Sequence, residues 1–343
     1  MSLVTVATNV IERVPFPDAV TSAGISFLVD RTKRKLARSG GVSEVDFARL
    51  MQQHPIAVRP DAANEQHYEV APAFFGLVLG PRRKYSCCLY RTDIDTLADA
   101  EEHALLETAA HAGLADGQDI LELGCGWGSL SLWMAEHYPS ARITAVSNAQ
   151  PQRGYIEGEA ARRGFRNLRV ITADMNDFVI EQRFDRVVSV EMFEHMTNWQ
   201  SLLRRVHGWL RPDGRLFLHV FSHHSAPYLF DVADKEDWIA QHFFTGGIMP
   251  SHGLIRHVAD VFQVEDDWRW NGEHYARTAR DWLSNFDRNE AEVMDVLREV
   301  YGAEASLWKR RWRLFFLATA GLFGHAGGTE WGVSHYRLRP LAK

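Results

Sequence analysis

The stretch Ile120-Leu121-Glu122-Leu123-Gly124-Cys125-Gly126-Trp127-Gly128 has the pattern best suited to chemistry: an apolar run with an acidic residue, then three glycines at alternate positions. Glycine has no Cβ, so a loop built this way turns tightly and lets its backbone approach a ligand closely. In doubly wound sheets the carboxyl end of the first strand is where nucleotide-like cofactors bind. The spacing narrows the ligand further. A dinucleotide loop reads G-x-G-x-x-G and sets a pyrophosphate on a helix N-terminus, whereas here the order is E-x-G-x-G-x-G with few nearby groups suited to phosphate. A second concentration of reactive groups, Glu191, Glu194 and His195, lies further along the chain.

Such a loop needs a strand before it and a helix after it. From about Asp116 short apolar runs alternate with helical stretches, the signature of βαβ units and a parallel sheet. Strands are expected over residues 119–123, 142–146, 168–172, 184–190 and 215–221, and helices over 129–137, 150–163 and 199–210. Arg211-Pro212-Asp213-Gly214 is a strong turn signal that stops the last of these helices. The result is an open α/β sheet. After Phe221 the alternation ceases, and residues 222–262, with His223-His224, Asp237-Trp238 and the run Phe244 to Pro250, read as a lid-like insertion. A strand over 263–270, helices over 279–301 and 303–317, and a last strand over 331–338 follow. Residues 1–84, which mix a Pro-broken opening (Val14-Pro15-Phe16-Pro17) with helical patterning, are read as an N-terminal helical cap on a domain of residues 85–343.

A chain of 343 residues suffices for one large domain with elaborations, or two. With 46% hydrophobic and 24% charged residues it is neither disordered nor fibrous. Counts of 38 Lys+Arg and 44 Asp+Glu give a net charge of -6, so there is no electrostatic footprint for nucleic acid. Three cysteines, two of them adjacent at Cys87 and Cys88, build no disulfide framework, and no Cys/His spacing matches a zinc site. The reading is a reducing compartment, the cytoplasm, with no metal. Residues 1–15 lack a basic stretch ahead of an apolar run, and the apolar runs 70–80 and 314–324 fall short of the ~20 residues that span a bilayer. The basic run Arg31 to Arg38 is read first as a solvated helix face. The alternative is contact with anionic lipid headgroups, at most a peripheral membrane association.

The glycine loop, flanked by strand and helix, resembles motif I of the class I methyltransferases that bind S-adenosylmethionine (SAM) and release S-adenosylhomocysteine (SAH). The resemblance implies a Rossmann-like sheet with Glu122, Gly124 and Gly126 at the cofactor. It also gives Thr172-Ala173-Asp174-Met175 a usual SAM role, Asp174 bonding the adenine amino group and Met175 packing on the ring. One departure stands out: the second strand ends in Ala145-Val146-Ser147-Asn148, without the carboxylate that normally holds the ribose hydroxyls. Asn148, with Gln152 a turn later, must then act through amide hydrogen bonds.

Three further stretches, Leu79 to Cys88, Val190-Glu191-Met192-Phe193-Glu194-His195-Met196 and His274-Tyr275-Ala276-Arg277-Thr278, look like the group that contains cyclopropane-fatty-acid synthases, mycolic acid methyltransferases and plant coclaurine-type N-methyltransferases. The resemblance runs from about Phe75 to the C-terminus. In that group a Tyr-Ser pair folds over the SAM methionine, which assigns Tyr85 and Ser86 here and suits a sulfonium beside a ring face. It likewise puts Val190 near the cofactor. The two branches of the group differ in proton handling. A cyclopropane synthase methylates an alkene and uses bound bicarbonate as base, which the resemblance sets against the Cys87 backbone, Glu194, His219 and Tyr275. An amine methyltransferase needs its acceptor nitrogen neutral, because a protonated amine has no lone pair, and a Glu/His pair does that work.

Glu191, Glu194 and His195 resemble the N-methyltransferase pattern E-x-F-E-H-M, whereas cyclopropane synthases typically have Gly where Glu191 stands. Leu79-Gly80-Pro81, Glu330-Trp331 and Ser334-His335 look like the same branch, while His219 and Tyr275 replace a Glu and a Phe usual in the plant enzymes. The expectation is therefore a SAM-dependent methyltransferase acting on a small or amphipathic amine; the alternative is methyl transfer to an unsaturated acyl lipid with bicarbonate. A SAM-binding protein without catalysis is disfavoured by the intact proton-handling residues. Transfer from SAM is a displacement that mainly needs positioning and exclusion of water.

Overall fold

The computed structural model describes residues 12, 14, 16–38, 42–58, 71–230, 233 and 238–342. The opening before residue 12, Pro15, Val70 and Asp237, which the sequence reading used, lie outside the described residues.

Helices α1 (Asp18–Arg38), α2 (Glu44–Met51), α3 (Pro72–Val78) and α4 (Leu97–Ala112) precede the sheet. The alternating half follows as β1 (Asp119–Leu123), α5 (Ser129–His137), β2 (Arg142–Ser147), α6 (Gln150–Arg163), β3 (Leu168–Thr172), β4 (Phe184–Val190), α7 (Trp199–Trp209) and β5 (Leu210–His223). Short elements β6 (Tyr228–Leu229), α8 (Trp238–His242), β7 (Ile248–Met249) and α9 (Ile255–Val258) lead to β8 (Phe262–Asn271). Then come α10 (Glu273–Arg288), α11 (Glu290–Tyr301), α12 (Ala305–Phe323) and β9 (Trp331–Pro340).

Seven strands form one sheet in the order β3-β2-β1-β4-β5-β9-β8. The first five run parallel, and β9 and β8 join antiparallel. Every residue of β1 is buried, as expected for a central parallel strand covered on both faces. Because β2 and β4 leave β1 on opposite sides, a crevice opens at its carboxyl end, directly above the glycines.

The parallel strands lie where the patterning put them, with β2 running one residue further. Three differences have local causes. Leu210 already pairs with Phe184 before the chain loops out and resumes pairing at Arg215 with Arg186, so the Pro-Asp-Gly turn is an irregularity within β5. The helix expected over 279–301 is two helices broken at Asn289, whose side-chain amide donates to the Leu77 carbonyl (2.7 Å). It also begins earlier, at Glu273, whose N–H donates to the Asn271 side chain (2.7 Å), a local start that apolar spacing does not reveal. The last helix likewise extends to Phe323.

The N-terminal helices share a core with the C-terminal ones. Phe74 and Phe75 of α3 pack with Trp282 and Phe286 of α10 and Trp312 and Phe316 of α12. Phe75 also meets Trp127 of the glycine loop, ring centroids 4.8 Å apart. On α1, Ile25 and Val29 enter the same cluster, and Ile25 lies so near Gly321 that a Cβ there would sit 2.5 Å from its Cγ2. In the basic stretch Lys33 is ion-paired to Glu330. No helix among the described residues is long and apolar enough to cross a membrane.

Candidate active site

Gly124, Gly126 and Gly128 adopt φ of +78°, +51° and +77°, the left-handed region that side chains resist. Their surroundings differ. A Cβ on Gly124 would lie 2.5 Å from the Met192 side chain and one on Gly128 2.6 Å from Ile156, but one on Gly126 would meet no atom within 4 Å. Two of the glycines therefore admit protein neighbours, and Gly126 faces open space.

That space is a cavity at the carboxyl ends of β1 to β4. Gly124 and Gly126 wall it, with Ser147 at the end of β2, Asn148 and Gln152 after it, Asp174 and Met175 after β3, and Glu191, Met192 and His195 after β4. Gln152 is buried, and its Oε1 accepts from the Ser147 hydroxyl (2.5 Å). Its Nε2 has no hydrogen-bond partner among the described residues. An unpaired buried donor costs about 1–3 kcal/mol, which a ligand hydroxyl removes. An amide donor beside the open face of Gly126 thus fits a ribose-bearing cofactor without requiring a carboxylate. The sequence reading missed Ala57, which reaches the wall because Asn176 clasps its N–H and carbonyl (3.0 and 3.1 Å). Nothing in its residue type could have shown this.

Four expected cofactor residues lie away from the cavity wall. Glu122 turns inward, accepts from the Ser131 hydroxyl, and is pushed up to about 8 by burial, so it braces the loop from below. Val190 packs into the core with Leu105 and Phe217. The Tyr85 ring rests against Phe75 (5.2 Å) and Trp282 (5.5 Å). Ser86 accepts from the buried Lys84 ammonium (2.5 Å), which also donates to the Cys87 carbonyl (2.6 Å).

The proton-handling residues converge. Glu191 has φ +47°, unusual for a residue with a side chain, and from that position its carboxylate is buried. Its Oε1 accepts the Cys87 N–H (2.9 Å) and meets His219 Nε2 (3.1 Å), and its Oε2 accepts from the Tyr275 hydroxyl (2.7 Å). Cys87, His219 and Tyr275, assigned on resemblance to an external anion, are therefore engaged by Glu191. Glu194 is separate: fully buried, it accepts the Phe221 N–H at Oε1 (2.6 Å) while Oε2 has no partner among the described residues. Burial, then the neighbouring Glu191, raise its proton affinity well above the carboxylate norm. Burial raises Glu191 too, against the opposing pull of Lys84, Cys87 and Tyr275. His195 walls the cavity with its ring stacked on Phe244 (5.0 Å). The cluster can take up and pass on a proton beside the cavity.

Among the described residues one group has the spacing of metal ligands, His223, His224 and Glu330 within 4.8 Å, and Lys33 is paired to that carboxylate.

A mostly parallel sheet with this glycine-lined crevice defines the class I SAM-dependent methyltransferase architecture. Residues 57–326 match the family described as mycolic acid cyclopropane synthetase, and the chain belongs to that family. It is 33% identical over 296 residues to (S)-coclaurine N-methyltransferase of Thalictrum flavum subsp. glaucum, covering 85% of this chain and 82% of that protein. With cyclopropane-fatty-acyl-phospholipid synthase of Escherichia coli (strain K12) it shares 28% identity over 261 residues, 76% of this chain and 63% of the relative. The crystal structure of coclaurine N-methyltransferase bound to N-methylheliamine and SAH superposes with a TM-score of 0.92 at 31% identity, covering 98% of this chain and all 100% of the other. The chain is a SAM-dependent methyltransferase.

Proposed function

We propose that this methyltransferase acts on the nitrogen of a small or amphipathic amine. The observation that carries the reading is the Glu191 carboxylate, which takes the Cys87, His219 and Tyr275 contacts that the alkene branch devotes to bicarbonate. A base fixed on the chain needs no external one. Gly124, Gly126, Asn148, Gln152, Asp174 and Met175 hold SAM. When bound, SAM supplies an activated methyl group for attack by the amine lone pair. Glu194, with Oε2 unpaired, and Glu191 receive the amine proton, and His195 orients the acceptor. Cys87, His219 and Tyr275 fix the Glu191 carboxylate in place. The amine's apolar part faces Phe221, Phe230 and Phe244, whose rings cluster at 5.3–6.4 Å beside His195. Residues 222–262 thus act as the lid-like insertion of a methyltransferase domain over 85–343, with residues 1–84 as its cap. Three buried free thiols support a cytoplasmic setting.

His219 and Tyr275 are the features that favour the second reading, transfer to an unsaturated acyl lipid. Incubation with methyl-labelled SAM and heliamine, the amine whose N-methyl derivative occupies the similar crystal structure, should yield labelled N-methylheliamine at a rate indifferent to bicarbonate. Label in unsaturated phospholipid acyl chains, with turnover lost in carbonate-free buffer and restored by bicarbonate, would establish the lipid reading instead.

A further inference from the structure

Behind Glu191 three imidazoles stand end to end. His219 touches Glu191 Oε1 through Nε2 (3.1 Å) and His335 Nε2 through Nδ1 (2.8 Å). His335 Nδ1 meets His111 Nδ1 (2.8 Å), and His111 Nε2 meets Glu107 Oε1 (3.2 Å). Each ring is entered at one nitrogen and left at the other, so the contacts are continuous. The fold dictates the alignment: His219 and His335 are cross-strand partners in β5 and β9, and Glu107 lies one turn before His111 on α4. His219 and His335 are fully buried, whereas the His111 side chain is 12% and that of Glu107 33% exposed, so the chain runs from the interior to the surface.

Aromatic rings sheathe it. Trp270 lies 4.4 Å from His335 and 5.4 Å from His219, Phe217 5.1 Å from His335, and Trp268 stacks on His111 at 3.8 Å. Methyl transfer itself makes no use of His335 or His111.

We propose that His219, His335 and His111 form a relay that carries the proton released by amine methylation from Glu191 to solvent at Glu107. The proposal rests on the amine reading. The acceptor's N–H bond breaks with its electron pair left on nitrogen, and the proton joins the buried carboxylate pair. From Glu191 it passes to His219 Nε2 as the Nδ1 proton of that ring moves to His335 Nε2. The Nδ1 proton of His335 then moves to His111 Nδ1, and the Nε2 proton of His111 leaves to Glu107 or water. One proton crosses, no ring keeps an added charge, and each ring is left as its other tautomer, to be reset by proton exchange with solvent before the next turnover.

The charged and titratable groups facing the relay are Lys84 and Cys87 beside Glu191, Glu194, Tyr275 from α10, Arg337 from β9, which donates to the His111 carbonyl (3.3 Å), and Asp266 from β8, paired with Arg337. Burial, reinforced by Lys84 and the neighbouring imidazoles, keeps His219 and His335 neutral, the form able to donate and accept at once.

Two measurements decide the matter. Nitrogen-15 NMR of histidine-labelled, SAH-bound protein should show the tautomer populations of His335 and His219 shifting in Glu107→Gln and His111→Phe; His219 signals that ignore both changes overturn the relay. In a single turnover with SAM and heliamine in weak buffer, a pH indicator should register proton release in step with N-methylation for the wild type. In His111→Phe and His335→Phe, release should lag the first turnover by about tenfold, and added imidazole should restore it in His111→Phe. Release that keeps pace in folded variants also overturns the relay. Failure of the wild type to methylate heliamine counts against the amine reading, and the NMR experiment, which needs no acceptor, still decides the relay.

Discussion

At Glu191 a left-handed backbone and three converging contacts make one carboxylate behave as a fixed anion. Replacing it with glycine relieves the φ of +47°, leaves the Cys87 N–H and the Tyr275 hydroxyl without their acceptor, and leaves His219 Nε2 without its partner. Glu191→Gly should therefore lower turnover by ~10²-fold or more, and millimolar formate or bicarbonate should restore part of it. Glu191→Gln, whose amide still fills the space, should not respond. If no small anion revives the glycine variant, those three groups do not form an anion site. Glu122 offers a test of stability. Its carboxyl ordinarily titrates near 4.5 and in the folded protein near 8, so between those values the folded state holds a proton that the unfolded state has released. Stability then falls as pH rises through this window, by up to about 1.4 kcal/mol per unit. Urea unfolding at pH 5.5 and 8 should show Glu122→Gln gaining on the wild type at the higher pH; parallel curves would exclude an ionisation penalty. The reactive residues were visible in the sequence by type. That Cys87, His219 and Tyr275 grip Glu191 was not, since they lie 104, 28 and 84 positions from it and meet only through strand register and helix docking.

The glycine loop joins β1 to α5, and each of its glycines has a separate task. Gly126→Ala should leave thermal stability within a few degrees of wild type yet weaken SAH binding by roughly 10- to 30-fold, because its methyl enters the cavity. Gly124→Ala and Gly128→Ala should instead unfold at lower temperature, as their methyls meet Met192 and Ile156. Calorimetric titration with SAH beside a melting curve separates the two outcomes, and equal SAH affinity in Gly126→Ala would remove the cofactor from that face. The alternating half of the sheet was legible because period-two and helical patterns switch cleanly there. The break at Asn289 and the early start of α10 were not, because each depends on one side-chain amide finding a backbone partner, locally at Asn271 and across the fold at Asn289. Nor could spacing show that β9 inserts between β5 and β8.

Across the whole molecule, α1 is fastened to α12 by Ile25 against Gly321 and by Asp18 to Arg313, which also binds Asp287. Gly321→Val should cost about 1–3 kcal/mol through overpacking; an unchanged urea midpoint would mean that α1 yields freely. The same long-range wiring has a consequence for biosynthesis. Among the described residues strand β8 has β9 as its sole sheet neighbour, and His219 contacts a residue 116 positions later. At ~5–20 residues per second, the ribosome supplies that partner on the order of ten seconds after His219. Until then the growing chain carries an open β5 edge and an unpaired β8, the kind of edge that chaperones and like strands recognise. The sheet can close only when its last strand slides between two already made.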